Sequence, residues 1–156
     1  MKRFLFDCGT RDLPASLGIL VLRVSTGLMM LIGHGLPKLR NFDKLKGEWH
    51  VPGFAPLKYM SHEVSLSATL GAEILAAALI VAGLATRPAA FLFGFAMVVA
   101  AFEVHHSAPT FLGAGVASAK EPALLYLVFA SAILLVGAGR FSLDAVIHRD
   151  AKRRRW

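Results

Sequence analysis

A single charge constrains this chain more than any other feature. Arg23 lies near the middle of an otherwise apolar stretch, Pro14 to Leu36. A run of about 23 residues is long enough to cross the ~30 Å hydrocarbon core of a bilayer. A guanidinium at that depth costs ~2.5 kcal/mol or more, and it persists only facing protein or trapped water, with a partner. An intramembrane ionisable group is therefore a functional-site hypothesis from the outset.

Three further apolar blocks follow. With 56% hydrophobic residues in 156, against about 45–50% in soluble domains, the chain reads as all-α: an integral membrane protein built as a four-transmembrane-helix bundle. The expected spans are about Pro14–Leu36, Ser65–Leu84, Pro88–His105 and Glu121–Gly139. A segment 1–13 precedes the membrane domain, 14–144, and a basic tail, 145–156, follows it. One bundle uses the whole length. Lys2 and Arg3 resemble the start of a signal peptide, but Asp7, Arg11 and Asp12 interrupt any apolar run before Pro14, so the first block is read as a retained span.

The net charge is +7. In a soluble protein this would raise nucleic acid as a partner. Here the basic residues lie between and after the apolar blocks, no aromatic-interleaved basic face appears, and anionic lipid head groups are the simpler counter-charge. The excess of Lys and Arg falls on the side of the termini and the short Arg87 link, which places both termini in the cytoplasm under the positive-inside rule. The tail from Phe141 can form a short helix with Leu143, Val146 and Ile147 on one face, read as an anchor on anionic lipid or as a partner-docking helix. Cys8 is the only cysteine, so no intrachain disulfide or cysteine metal cluster can form; it reads as a reduced thiol near the surface.

Helical geometry organises the polar groups. Arg23, Gly27, Met30 and His34 recur at spacings that keep them on one face, and Lys38 extends the stripe if the helix survives Pro37. Glu73 lies about 12 Å into the second span by the helical rise, close to the depth expected for Arg23. The natural inference is an Arg23–Glu73 pair between antiparallel neighbours, either a structural ion pair that fixes register or part of a site. Glu103 closes the third span, followed by His105 and His106. Glu121 opens the fourth, where an acidic side chain suits the helix dipole. Neighbouring histidines point about 100° apart on a helix, and no HExxH or ExxH spacing occurs, so no metal site is expected. A phosphate loop, a dinucleotide fingerprint and a local Ser-His-Asp signature are also missing.

The run Leu22-Arg23, Gly27, Gly33-His34-Gly35, Lys38-Leu39 resembles the first-helix signature of DoxX-type membrane proteins. Glu73, Gly83-Leu84, Thr86-Arg87-Pro88-Ala89-Ala90 and Met97 resemble the second and third helices. Glu121-Pro122-Ala123-Leu124-Leu125-Tyr126 and the closing Gly137-Ala138-Gly139-Arg140-Phe141-Ser142-Leu143-Asp144 resemble the fourth. The resemblance implies a multi-pass protein of the cell inner membrane. It also implies association with quinone-linked redox chemistry and with oxidative or thiol stress, and a polar signature of Arg23, His34, Glu73 and Glu121.

The expectation is then a membrane component of a redox system, with a subunit of a quinone-linked oxidoreductase as its enzymatic form. Arg23, His34, Glu73, Glu103 and Glu121 would line a cavity for a quinone head group or a small redox-active solute, with catalytic residues unassigned. Arg23 would hydrogen-bond an oxygen, and His34 with a carboxylate would handle protons. No resident cofactor is evident; quinone is the candidate ligand. Membrane lipids, an oxidoreductase and a second copy of the chain are candidate partners, and nucleic acid is not. The alternatives are a small permease or channel for protons, ions or small acids, and a non-catalytic membrane scaffold for soluble oxidoreductases.

Overall fold

In a computed structural model of the chain, which describes residues 9, 10 and 12–153, the protein is all-helical, with no strand among the described residues. Cys8, Arg11 and the last residues of the basic tail lie outside them. Three helices are long and apolar enough to cross a membrane: α1, Leu13–Arg40; α2, His62–Ala82; and α3, Thr86–Val104. A shorter apolar helix, α4, Glu121–Val136, has 16 residues, somewhat fewer than the ~20 that a span usually needs. The last helix, α5, is Leu143–Arg153.

Local chemistry sets the helix limits. Asp12 caps α1 by accepting the Ala15 N–H at 3.1 Å, and Pro14 sits in the first turn, where its missing N–H is harmless. Ser61 caps α2 through the Val64 N–H, so this helix starts three residues before the expected Ser65. It ends at Gly83, whose φ of +67° lets the Leu84 N–H reach back to the Leu79 carbonyl at 3.0 Å, a Schellman closure. Helix α4 ends where Gly137 adopts φ +89°, short of the expected Gly139.

Each long helix contains one π-helical stretch: Leu31–Gly35 in α1, Gly71–Ala76 in α2 and Ala100–Val104 at the end of α3. A π turn adds a residue to the local repeat, and such turns recur at functional sites. Here they hold His34, Glu73 and Glu103 respectively. In α1 the extra residue also explains why the helix passes Pro37: the Leu36 N–H closes the π turn on the Leu31 carbonyl, and Pro37 then falls in the first turn of a fresh α segment, Leu36–Arg40.

The core is shared by all four apolar helices. Met30, Ala77, Ile80, Phe93, Tyr126 and Ile133 form one buried cluster. Small residues bring the backbones together, as they do in lipid, where no hydrophobic drive acts between helices. A Cβ on Gly27 would come within 2.9 Å of the Ala77 carbonyl oxygen, and one on Gly35 within 3.0 Å of the Glu73 carbonyl oxygen. These two contacts define the antiparallel register of α1 on α2. The bundle has a turn end, with the α2–α3 link and the segment 137–142, and a connector end, with the chain 41–61 that joins α1 to α2.

Candidate functional site

Two polar layers lie inside the bundle, and Arg23 and Glu73 belong to different ones. At the turn end Arg23 is fully buried, at 0% exposure. Its Nη1 donates to the Ile80 carbonyl at 2.9 Å and the Val81 carbonyl at 3.3 Å, and its Nη2 to the Phe141 carbonyl at 2.6 Å. The last carbonyls of a helix lack intrahelical partners and carry the negative end of its dipole. The guanidinium therefore ties α1 to the end of α2 and to the segment beyond α4. Arg87 does likewise for α4, donating from Nη2 to the Leu135 carbonyl at 3.3 Å.

Asp144 completes this layer. It is 1% exposed, and its two carboxylate oxygens accept the N–H groups of Ala85 at 2.8 Å and Thr86 at 2.9 Å. Its own N–H donates to the Gly83 carbonyl at 2.9 Å. Asp144 thus acts as an N-cap for α3 from a distant part of the chain. It also holds Ala85 at φ +46°, a left-handed conformation that a non-glycine residue adopts at a cost of roughly 1–2 kcal/mol.

The expected Arg23–Glu73 pair is not formed. The register explains why: α1 packs so that Gly35, not Arg23, faces Glu73. Depth counted from expected span ends placed the two charges level, whereas α2 ends at Ala82 and Arg23 meets its last turn.

Glu73 pairs instead with Lys38, Nζ to Oε1, toward the connector end. The carboxylate side chain is 6% exposed and the lysine side chain 23%. Lys38 Nζ also sits 5.4 Å from the centroid of the Trp49 ring, a cation–π distance. The second carboxylate oxygen, Oε2, is buried without a hydrogen-bond partner. Leaving such an acceptor unmatched costs about 1–3 kcal/mol, and more for a charged group.

The π turn in α1 governs what faces this layer. Its extra residue shifts the face, so Gly35 and Lys38 continue the stripe of Arg23, Gly27 and Met30. Gly35 is buried and His34 is exposed. His34 turns toward α4, where its ring meets Tyr126 edge-on at 5.9 Å between centroids, and Tyr126 in turn meets Phe93 at 5.9 Å.

Glu103 and Glu121 hold loops. Glu103 Oε2 accepts the Gly53 N–H at 3.2 Å and lies 4.0 Å from His50 Nε2. Together with the Trp49 Nε1 bond to Thr69 at 3.3 Å and the Ser65 hydroxyl bond to the His50 carbonyl at 2.6 Å, it straps the connector across the ends of α2 and α3. Glu121 Oε2 accepts the Leu112 N–H at 2.7 Å, folding the loop before α4 onto its first turn. Among the described residues, no hydrogen bond or ion pair joins any two of Arg23, His34, Glu73, Glu103 and Glu121, and no group of three His, Cys, Asp or Glu side chains is placed to hold a metal.

Sequence reasoning missed Lys38 as Glu73's partner and gave Asp144 no role. The signal for Lys38 was its place on the Arg23 stripe, conditional on the helix surviving Pro37. Asp144 had only its membership of the closing Gly137–Asp144 run.

The chain matches the DoxX family model over residues 18–106. No curated protein and no solved structure matches it significantly. The matched segment contains α2 and α3 in full and most of α1, including Arg23, His34, Lys38, Glu73 and Glu103.

Proposed function

The chain belongs to the DoxX family of membrane proteins, and from that premise we propose that it is the membrane component of a redox system. In this reading it holds a quinone head group or a small redox-active solute in the layer of Lys38, Glu73, His34 and Tyr126. The redox class rests on the likeness to DoxX proteins. The place of the ligand rests on one observation: Glu73 keeps a buried carboxylate oxygen without a partner, on a π turn, beside a lysine that already neutralises the charge. The bundle would gain by satisfying that oxygen.

The remaining parts of the reading follow from this. Residues 14–144 form the membrane domain in the cell inner membrane, with α4 as a fourth crossing and both termini cytoplasmic. Arg23 serves the architecture rather than the ligand, because its bonds go to three backbone carbonyls. Glu103 and Glu121 shape the connector end that covers the ligand. A partner oxidoreductase, or a second copy of the chain, supplies the remaining redox machinery.

The test is purification of the full chain in mild detergent, lipid extraction and mass spectrometry. Quinone, in either redox form, that co-purifies with the wild type and with a Lys58→Gln surface control, but is lost in Lys38→Met/Glu73→Leu, supports the reading. Quinone absent from the wild type, or retained unchanged in Lys38→Met/Glu73→Leu, contradicts it.

A further inference from the structure

We propose that the site selects the reduced, hydroxyl-bearing form of its ligand, a hydroquinone or similar diphenol, over the oxidised carbonyl form. This deepens the reading above and rests on it. The two redox forms of a quinone differ at their ring oxygens in one hydrogen-bonding respect: a quinone oxygen only accepts, whereas a hydroquinone hydroxyl also donates. What the protein offers at the buried centre of the layer therefore decides which form fits.

Glu73 offers an acceptor. The residue is 4% exposed, Oε1 is bound to Lys38, and Oε2 is buried with no partner. An ionised carboxylate is acceptor-only. A hydroxyl donor satisfies it with a charge-assisted bond, the stronger kind. A carbonyl oxygen placed there sets two acceptors against each other, one of them charged. Within the layer the His34 ring and the Tyr126 hydroxyl can each donate or accept and so favour neither form, and the Lys38 ammonium does not reverse the preference. It is committed to Glu73, rests over Trp49 and is partly exposed, so its remaining N–H groups can be hydrated. Arg23, the other cation of the polar stripe, donates from Nη1 and Nη2 to Ile80, Val81 and Phe141; its buried Nε has no partner, but it belongs to the turn-end layer with those bonds and not to the layer of Glu73. Unmet demand at the centre is thus for a donor, and the reduced ligand brings one.

Substitution reverses the sign. In Glu73→Gln the amide oxygen can accept from Lys38 while its NH2 takes the place of Oε2. The buried group then donates, and the carbonyl form becomes the better partner.

The experiment uses the full chain in nanodiscs of quinone-free lipid, kept anaerobic. Equilibrium dialysis against duroquinone and against durohydroquinone, with protein-free nanodiscs as the partition control, gives both affinities. The expected result is durohydroquinone bound about tenfold or more tightly than duroquinone by the wild type, matching a hydrogen bond to a charged group, and a lost or inverted ratio in Glu73→Gln. If that variant does not fold because Lys38 loses its partner, Lys38→Met/Glu73→Gln leaves no unpaired charge and takes its place, with the preference lost. Equal affinities in the wild type, or a hydroquinone preference unchanged by either variant, overturn the inference and leave the site itself standing. Binding of neither form above the control overturns the quinone-binding reading and the selectivity with it.

Discussion

Asp144 Oδ2 accepts the backbone N–H of Thr86 at 2.9 Å, and Oδ1 that of Ala85 at 2.8 Å. A residue 58 positions later in the chain than Thr86 thereby starts the third long helix. The bond closes the bundle at its turn end, beside the buried Arg23 bonds to Ile80, Val81 and Phe141. Asp144 joins the chain after α4 to the end of α2 and the start of α3, and Arg23 joins α1 to the end of α2 and to the chain after α4.

Asp144→Ala should lower stability by about 2 kcal/mol, combining a lost cap with two unsatisfied N–H groups. A thermal melt of the detergent-solubilised chain checks this. Ala85→Gly should recover part of the loss, since glycine holds φ +46° without the Cβ penalty. No recovery would mean that Ala85 is not the strained element.

Arg23→Lys should destabilise the fold although it keeps the charge. A compact ammonium lacks the planar fork that reaches the α2 carbonyls and Phe141 together. Loss of the Phe141 bond alone is worth about 1.5–3 kcal/mol, since the donor is charged. The expected signature is a lower melting temperature with ligand affinity unchanged in the folded fraction. An unchanged melting temperature with lost affinity would return Arg23 to the binding site.

Gly35→Ala should weaken ligand binding, because the new Cβ would lie 2.7 Å from Ile74 Cγ1 and 3.0 Å from the Glu73 carbonyl oxygen. Moving α1 outward there separates Lys38 from Glu73. Gly33→Ala is the matched control: nothing lies within 4 Å of its Cβ position, and no change is expected. Equal behaviour of the two variants in a binding assay would contradict the assigned register.

Glu103→Ala should loosen the connector 41–61, since Gly53 loses its acceptor and His50 its carboxylate neighbour. Hydrogen exchange of the connector amides should rise while those of α2 and α3 stay protected. Unchanged exchange would show that Trp49, Thr69, Ser65 and His50 hold the strap without Glu103.

Much of this architecture is legible in the residues. The apolar blocks mark the helices, and Pro14 and Pro122 mark limits. The register is not legible. It depends on where Gly27 and Gly35 meet α2, and a depth counted from span ends carries an error of a turn or more. That error paired Arg23 with Glu73. Backbone carbonyls leave no trace in a sequence, so the actual partners of Arg23 could not be read. The π turn in α1 is equally silent, yet its single extra residue puts Gly35 where His34 was expected and brings Lys38 to Glu73. Asp144 ends the expected membrane domain with no role assigned to it, and only the fold shows that its carboxylate reaches back to α3.

The account's central claim is that the ligand sits at Lys38 and Glu73, one layer away from Arg23. Photo-crosslinking places it most directly. A photoreactive benzoquinone analogue, presented anaerobically in its reduced form, activated on the full chain in nanodiscs and mapped by peptide mass spectrometry, should label residues 34–38, 71–76 and the Tyr126 region, with competition by unlabelled durohydroquinone. Competable labelling confined to the Arg23, Ile80 and Phe141 layer, or none in the bundle, would contradict it.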